Sequence, residues 1–158
     1  MRKYLLDSLS CEAEVQPSSA WLDLERIAQV QVTSEDPDYP VEAAFSFGKG
    51  PGWRAGGRGE QTIRLIFDQP QRLRRLWLRF EETSIERTQE FALRWCAHWD
   101  DRRQEIVRQQ WNFGPHGSRT EIEDYAVDLD GVLFLELIIE PDLRRRQAFA
   151  TLADWRIA

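Results

Sequence analysis

The chain is expected to fold as an all-β antiparallel sandwich of about eight strands, and three observations lead there. Short segments alternate apolar and polar side chains with the two-residue period of a pleated strand. Turn chemistry separates these segments at regular intervals. Apolar spacing at a helical period is not sustained over ten or more residues anywhere. Short alternating strands joined by turns read as a sandwich or a barrel.

Taken in order, residues 1–26 form a mixed lead-in expected to pack on the body. Gln16-Pro17-Ser18-Ser19 is loop chemistry, and Trp21, Leu22 and Leu24 are its apolar docking points. Residues 27–33 are the first clear strand. Residues 34–40 carry two prolines and three acids, which forbids a central strand. Residues 41–47 read as one helical turn or an irregular segment. Residues 48–59 hold six of the nine glycines and are expected to be loop.

The strands then follow closely. Residues 62–68 alternate Ile63, Leu65 and Phe67 against Thr62, Arg64 and Asp68, and Gln69-Pro70 reads as a turn. Residues 73–80 set Leu76, Leu78 and Phe80 on one face, with Arg75, Trp77 and Arg79 on the other. Residues 89–97, 104–113, 120–128 and 132–140 continue the pattern, and 149–157 closes the chain with Trp155 and Ile157 on one face. Neither an internal repeat nor a low-complexity linker interrupts residues 1–158, so a single domain is expected.

The totals narrow the function classes. A chain of 158 residues can bury about 70% of the surface its unfolded form exposes, enough for a core without staples. Net charge is −6, a field that opposes phosphate, so nucleic acid is not an expected partner. Cys11 and Cys96 are too few for a disulfide framework. Residues 1–20 lack the apolar core of a signal peptide, and no apolar run reaches the ~18 residues of a membrane span. The expectation is a soluble cytoplasmic protein without a membrane partner. Trp numbers 7, and only Lys3 and Lys49 are lysines among 21 basic residues. Arginine forks pair carboxylates and stack on aromatic faces, so such a surface suits packing or recognition.

Catalytic chemistry is thinly represented. His98 and His116 fall in turns at opposite ends of an intervening strand, which disfavours a shared metal or a base–nucleophile pair. Metalloprotease, paired-cysteine and nucleophile-elbow motifs are lacking, and the glycines at 48–59 do not form a phosphate loop. Carboxylates at Glu81, Glu82, Asp100, Asp101, Glu121 and Glu123 sit at or near turns and read as solvated. Glu136 lies mid-strand beside apolar neighbours and is expected to be buried and paired with an arginine. The chain is therefore not expected to be an enzyme. Arg144-Arg145-Arg146 reads as a solvated loop.

From residue 27 onward the pattern resembles a galactose-binding-domain-like jelly roll, the group holding discoidin-type domains and many carbohydrate-binding modules. The resemblance rests on Val32-Thr33-Ser34 before an acidic loop, Glu42-Ala43-Ala44-Phe45, and Gly52-Trp53-Arg54. It continues in residues 61–68, in Phe91-Ala92-Leu93-Arg94-Trp95 and in the closing residues 152–157. It implies an antiparallel jelly-roll sandwich that binds a carbohydrate through loops at one end, here 36–59, 81–88 and 114–119. Trp53 would offer a ring to a sugar, or else plug the end of the barrel. Arg54, Asp36, Asp38 and Glu42 would bond its hydroxyls. The rival is a protein-interaction or assembly domain that docks a partner or a second copy of itself through its Trp/Arg surface, with Arg75, Trp77 and Arg79 as the stripe. Many members of the resembling group carry an Asp-Gly pair where a structural calcium binds. Here Ser46-Phe47-Gly48 stands in that place, so no cofactor is expected, although Asp36, Asp38 and Glu42 lie close enough in sequence to supply calcium ligands.

Overall fold

The structure, a computed structural model, describes residues 21–99, 102–115, 117–144 and 147–158. It is an antiparallel β-sandwich. A single helical turn, α1 (Leu24–Ile27), leads into β1 (Ala28–Val32). A 3-10 helix (Val41–Phe45) precedes β2 (Trp53–Arg58), β3 (Gln61–Glu81), β4 (Arg87–Cys96) and β5 (Gln104–Phe113). Then come β6 (Thr120–Glu140), β7 (Phe149–Leu152) and β8 (Asp154–Ile157). The main sheet runs β1-β3-β6-β4-β5 with β8 also paired to β3, and β2 pairs with β7 as a separate ribbon.

Strand number agrees with the sequence reading, but the chain divides differently. Residues 62–68 and 73–80 were expected as two strands around a turn at Gln69-Pro70; they belong to one strand of 21 residues. Pro70 falls where the register against β6 shifts, between Ile66 and Gln71, so its missing N–H breaks no ladder bond. Residues 120–128 and 132–140 likewise merge into β6, where Gly131 adopts φ +69° opposite that irregularity. Ile63 to Ile66 then pair with Phe134 to Leu137, and Leu76 to Phe80 with Glu121 to Tyr125. Each long strand thus serves both layers. The ring of Phe80 lies 5.2 Å from that of Phe91, which packs the second half of β3 over β4.

The closing segment splits the other way. Residues 149–157 were expected as one strand. The chain breaks at Ala153, so that β7 pairs with β2 while β8 pairs with β3. Alternation puts Ile63, Leu65, Phe67, Leu76, Leu78, Phe91, Leu93, Leu135, Leu137 and Ile139 into one core, closed by Trp53, Trp155 and Ile157. At about 1.5–3 kcal/mol for each large side chain, this burial is the main stabilising term. Trp21 and Leu24 are buried, and the Leu22 N–H donates to Ile157 O at 2.8 Å.

β2 corrects the reading of residues 48–59 as loop. Here the glycines admit backbone rather than create flexibility. A Cβ on Gly56 would lie 2.6 Å from Glu35 O. A Cβ on Gly52, at φ +80°, would lie 2.6 Å from both Ala153 Cα and Leu152 O. Gly52→Ala is therefore expected to cost roughly 1–3 kcal/mol in backbone strain, with the clash in addition. Urea unfolding measures this, and a loss below about 0.5 kcal/mol would show that β2 slides freely over β7.

Candidate ligand-binding groove

Loop 34–40 is stapled onto β2. Ser34 Oγ accepts from Gly56 N at 3.0 Å and Gly57 N at 3.2 Å, and donates to Gln61 Oε1 at 2.7 Å. Asp36 N donates to Arg54 O, and Arg54 N to Tyr39 O. Trp53 lies beneath this loop, 1% exposed, with its indole N–H donating to Ser34 O at 3.1 Å. The sugar-stacking role expected for Trp53 requires an exposed ring face. That expectation is corrected in favour of its alternative, a plug at the end of the sandwich. A large apolar ring whose one polar atom finds a buried acceptor is stable inside.

The acids of the same loop are used internally. Asp36 Oδ1 accepts from Asp38 N at 2.9 Å, an Asx-type turn, and Glu35 Oε2 accepts from Val41 N at 2.9 Å at the start of the 3-10 helix. Glu42 is exposed on that helix. Asp36, Asp38 and Glu42 are not brought together as metal ligands. Among the described residues, no group of three or more His, Cys, Asp or Glu is placed to hold a metal ion.

Arg54 does face a depression. On β2 the side chains of Arg54 and Arg58 point outward, and their cross-strand neighbours on β7 are Thr151 and Phe149. Together with residues 81–85 and Tyr39 they enclose a groove of about 370 Å³. It adjoins a second, of about 630 Å³, across Ile85, Gln147 and Ala148. The Arg54 guanidinium carbon sits 4.9 Å from the Phe149 ring centroid, and that of Arg58 5.7 Å. The two acids lining the first groove, Glu81 and Glu82, are both committed. Glu81 pairs with Arg79, and Glu82 accepts from Arg87 Nε at 2.8 Å and from Ser84 N at 3.1 Å.

Arg87 anchors the wall between the grooves. Its guanidinium donates to Glu82, Gln89 Oε1 (3.0 Å), Pro141 O (2.9 Å) and Thr151 Oγ1 (3.2 Å), and lies 4.6 Å from the Phe113 ring centroid. Burial lowers its pKa, against the opposing pull of Glu82. Thr151 Oγ1 in turn donates to Glu81 O at 2.9 Å, so β7 and the 81–88 loop are held as one piece.

Glu121, Glu123 and Tyr125 share one face of β6, with Glu121 buried and the other two half-buried. Glu121 is fully buried and accepts from Gln89 Nε2 at 3.0 Å. Tyr125 Oη donates to Glu123 Oε2 at 2.9 Å. Burial, then the bond and charge of Glu123, push the Glu121 carboxyl up to about 9. Glu121 Oε1 meets no hydrogen-bond donor among the described residues, and a protonated carboxyl tolerates that burial better than a charged one. The same surroundings, burial first and the Glu123 bond second, raise the Tyr125 phenol.

Other expectations resolve directly. Glu136 pairs with Arg64 Nε at 2.6 Å and Arg103 Nε at 3.5 Å, the buried pairing its position predicted. The outward stripe Arg75, Trp77, Arg79 is largely covered. Trp77 is buried under the Arg156 guanidinium, 4.9 Å from its ring centroid, and Arg75 lies over Trp21 at the same distance. His98 is exposed in the turn after β4. Cys11, Asp100, Asp101, His116, Arg145 and Arg146 lie outside the described residues. No described part of 114–119 lines either groove. Arg58 and Phe149 were not singled out from the sequence. The available signal was the outward spacing of Arg54 and Arg58, hidden by reading their segment as loop.

Among solved structures the chain is similar to CBM32-3 from a family 31 glycoside hydrolase of Clostridium perfringens. That likeness has TM-score 0.62 and 14% identity, and covers 89% of this chain and 95% of that one. It is also similar to a pectin-binding carbohydrate-binding module (TM-score 0.59, 15% identity, 84% and 90% covered). A third is the family 32 module of C. perfringens NanJ in complex with galactose (TM-score 0.53, 13% identity, 82% and 92% covered). No family model matches the sequence, and no curated protein does. These likenesses show the fold: the chain has the galactose-binding-domain-like jelly roll of the discoidin-type and carbohydrate-binding domains.

Proposed function

We propose that the chain is a non-catalytic binding module that takes a carbohydrate in the groove between the β2–β7 ribbon and residues 81–85. One observation carries the reading. A rigid wall fixed by Arg87 faces a floor where Phe149 holds two arginines outward, their donors not taken by any described protein acceptor. Sugar sites combine apolar wall with a few placed hydrogen-bonding groups, and this groove adds Tyr39, Thr83, Ser84 and Gln147 to those arginines. The fold likeness to carbohydrate-binding modules supports the same reading. Glu121, the carboxyl with the most altered proton affinity, is wholly buried and plays no part at the groove.

A glycan panel read by thermal shift tests the proposal. Glycan at about 100 times its Kd stabilises by about 2.7 kcal/mol, and the melting midpoint should rise by roughly 5–10 °C. Phe149→Ala should abolish the shift while the protein stays folded. A flat response across the panel would sink the proposal and favour a protein partner instead.

A further inference from the structure

We infer that the groove selects a carboxylate-bearing sugar, a uronate, over a neutral one. This rests on the carbohydrate reading above and goes beyond it in naming the charge of the ligand.

Every carboxylate lining the groove is already committed to a cation: Glu81 to Arg79 and Glu82 to Arg87. Across the described chain Arg64, Arg72, Arg75, Arg108 and Arg156 also have carboxylate partners. Arg54 and Arg58, the arginines that line this groove, have no carboxylate partner among the described residues. Each presents a guanidinium fork of about five N–H donors and spends its face on the Phe149 ring alone. Cation–π contact with Phe149 holds both guanidinia in place without taking a hydrogen-bond acceptor's share of their N–H donors.

The uncommitted charge of the groove is therefore two cations. A neutral sugar offers the forks only uncharged hydroxyl oxygens, without the paired charge-assisted bonds. A carboxylate accepts from a fork in two parallel charge-assisted bonds, the geometry that guanidinium matches and ammonium does not. Because guanidinia occupy the Phe149 ring, a ligand meets the forks rather than the ring face. Selection then comes from charge and fork geometry, with Tyr39 and Gln147 left to read the hydroxyls.

The test is titration calorimetry on the full chain with uronate trisaccharides of the galacto, manno and gluco series, each beside its methyl ester. At least one uronate should bind, with its ester at least about tenfold weaker. Arg54→Met and Arg58→Met should each weaken the uronate about tenfold and weaken the ester by much less, so that the preference for the acid collapses. Both residues are exposed, so melting midpoints within about 2 °C of the parent should show intact folds. Uronate affinity should also fall as salt rises from about 50 to 300 mM. Equal binding of ester and acid, or indifference to both substitutions, would overturn the inference and leave the carbohydrate reading standing. Equal binding of hexaglutamate would assign the site to acidic peptides and overturn it. Failure of every acidic and neutral glycan would remove both readings together.

Discussion

Arg87→Met is expected to cost the fold about 3–5 kcal/mol, the range for removing one partner of a buried ion pair. Arg87 is 2% exposed, and its guanidinium ties the loop before β4, the end of β6 and β7 to one another. Methionine keeps most of the stem and fills most of the volume. The loss should therefore come from stranded acceptors: the Glu82 carboxylate, Pro141 O and Gln89 Oε1. Arg87→Lys should recover little, because three acceptors at fork spacing need a planar donor set. Urea unfolding measures it, with an unchanged slope and a lower midpoint. The double change with Glu82→Gln should cost less than the sum of the two single changes, since each alone orphans the other. A loss under about 1 kcal/mol would mean that an apolar side chain serves as well there.

Stability should fall as pH rises from about 5 to 9. In the folded chain Glu121 holds its proton up to about 9, whereas an unfolded glutamate releases it near the ordinary 4.5. Between those values the folded state carries the extra proton, so raising pH favours unfolding, by up to about 1.4 kcal/mol per unit. Below the lower value both states are protonated, and the contribution is present in full and constant. Unfolding free energies at pH 5.5 and 8 should differ by about 2–3 kcal/mol in favour of the acid side. Glu121→Gln should flatten that slope and stabilise the protein at pH 8, because its amide N–H₂ can donate to Glu123 as the carboxyl proton does. A parent slope of zero, or a Glu121→Gln variant with the parent's slope, would place the proton elsewhere.

The fold was legible where local pattern and burial coincide. Ile63, Leu65 and Phe67 alternate and are inward; Leu135, Leu137 and Ile139 do the same. Glu136 was legible because a carboxylate between apolar neighbours must find a cation. What escaped depends on distant backbone. Glycine at 52 and 56 signals loop by propensity, yet both exist to let Ala153 and Glu35 approach. For Trp53 the sequence left an exposed ring and a plug both open, because the cover that decides between them comes from Ser34 and the paired Leu152, distant in sequence. The groove escaped for the same reason, since Phe149 meets Arg54 and Arg58 only through the β2–β7 pairing. Glu121 and Glu123 read as turn acids, but their strand starts there and points them inward.

The two strands of 21 residues also set how this protein comes apart. β3 and β6 are paired from Gln61–Ile139 at one end to Glu81–Thr120 at the other, so a single ladder threads both layers. A sandwich whose layers own separate strands can peel one sheet from the other. Here peeling either layer unzips the strands of its partner. The molecule should open as one unit, with amides in both halves of β3 exchanging at the global free energy rather than through local openings. That ladder joins residues far apart in sequence, Arg64 to Glu136 among them. Folding must therefore close a long loop before any gain arrives, and refolding should run in milliseconds to seconds, as in other sheets built on distant pairings.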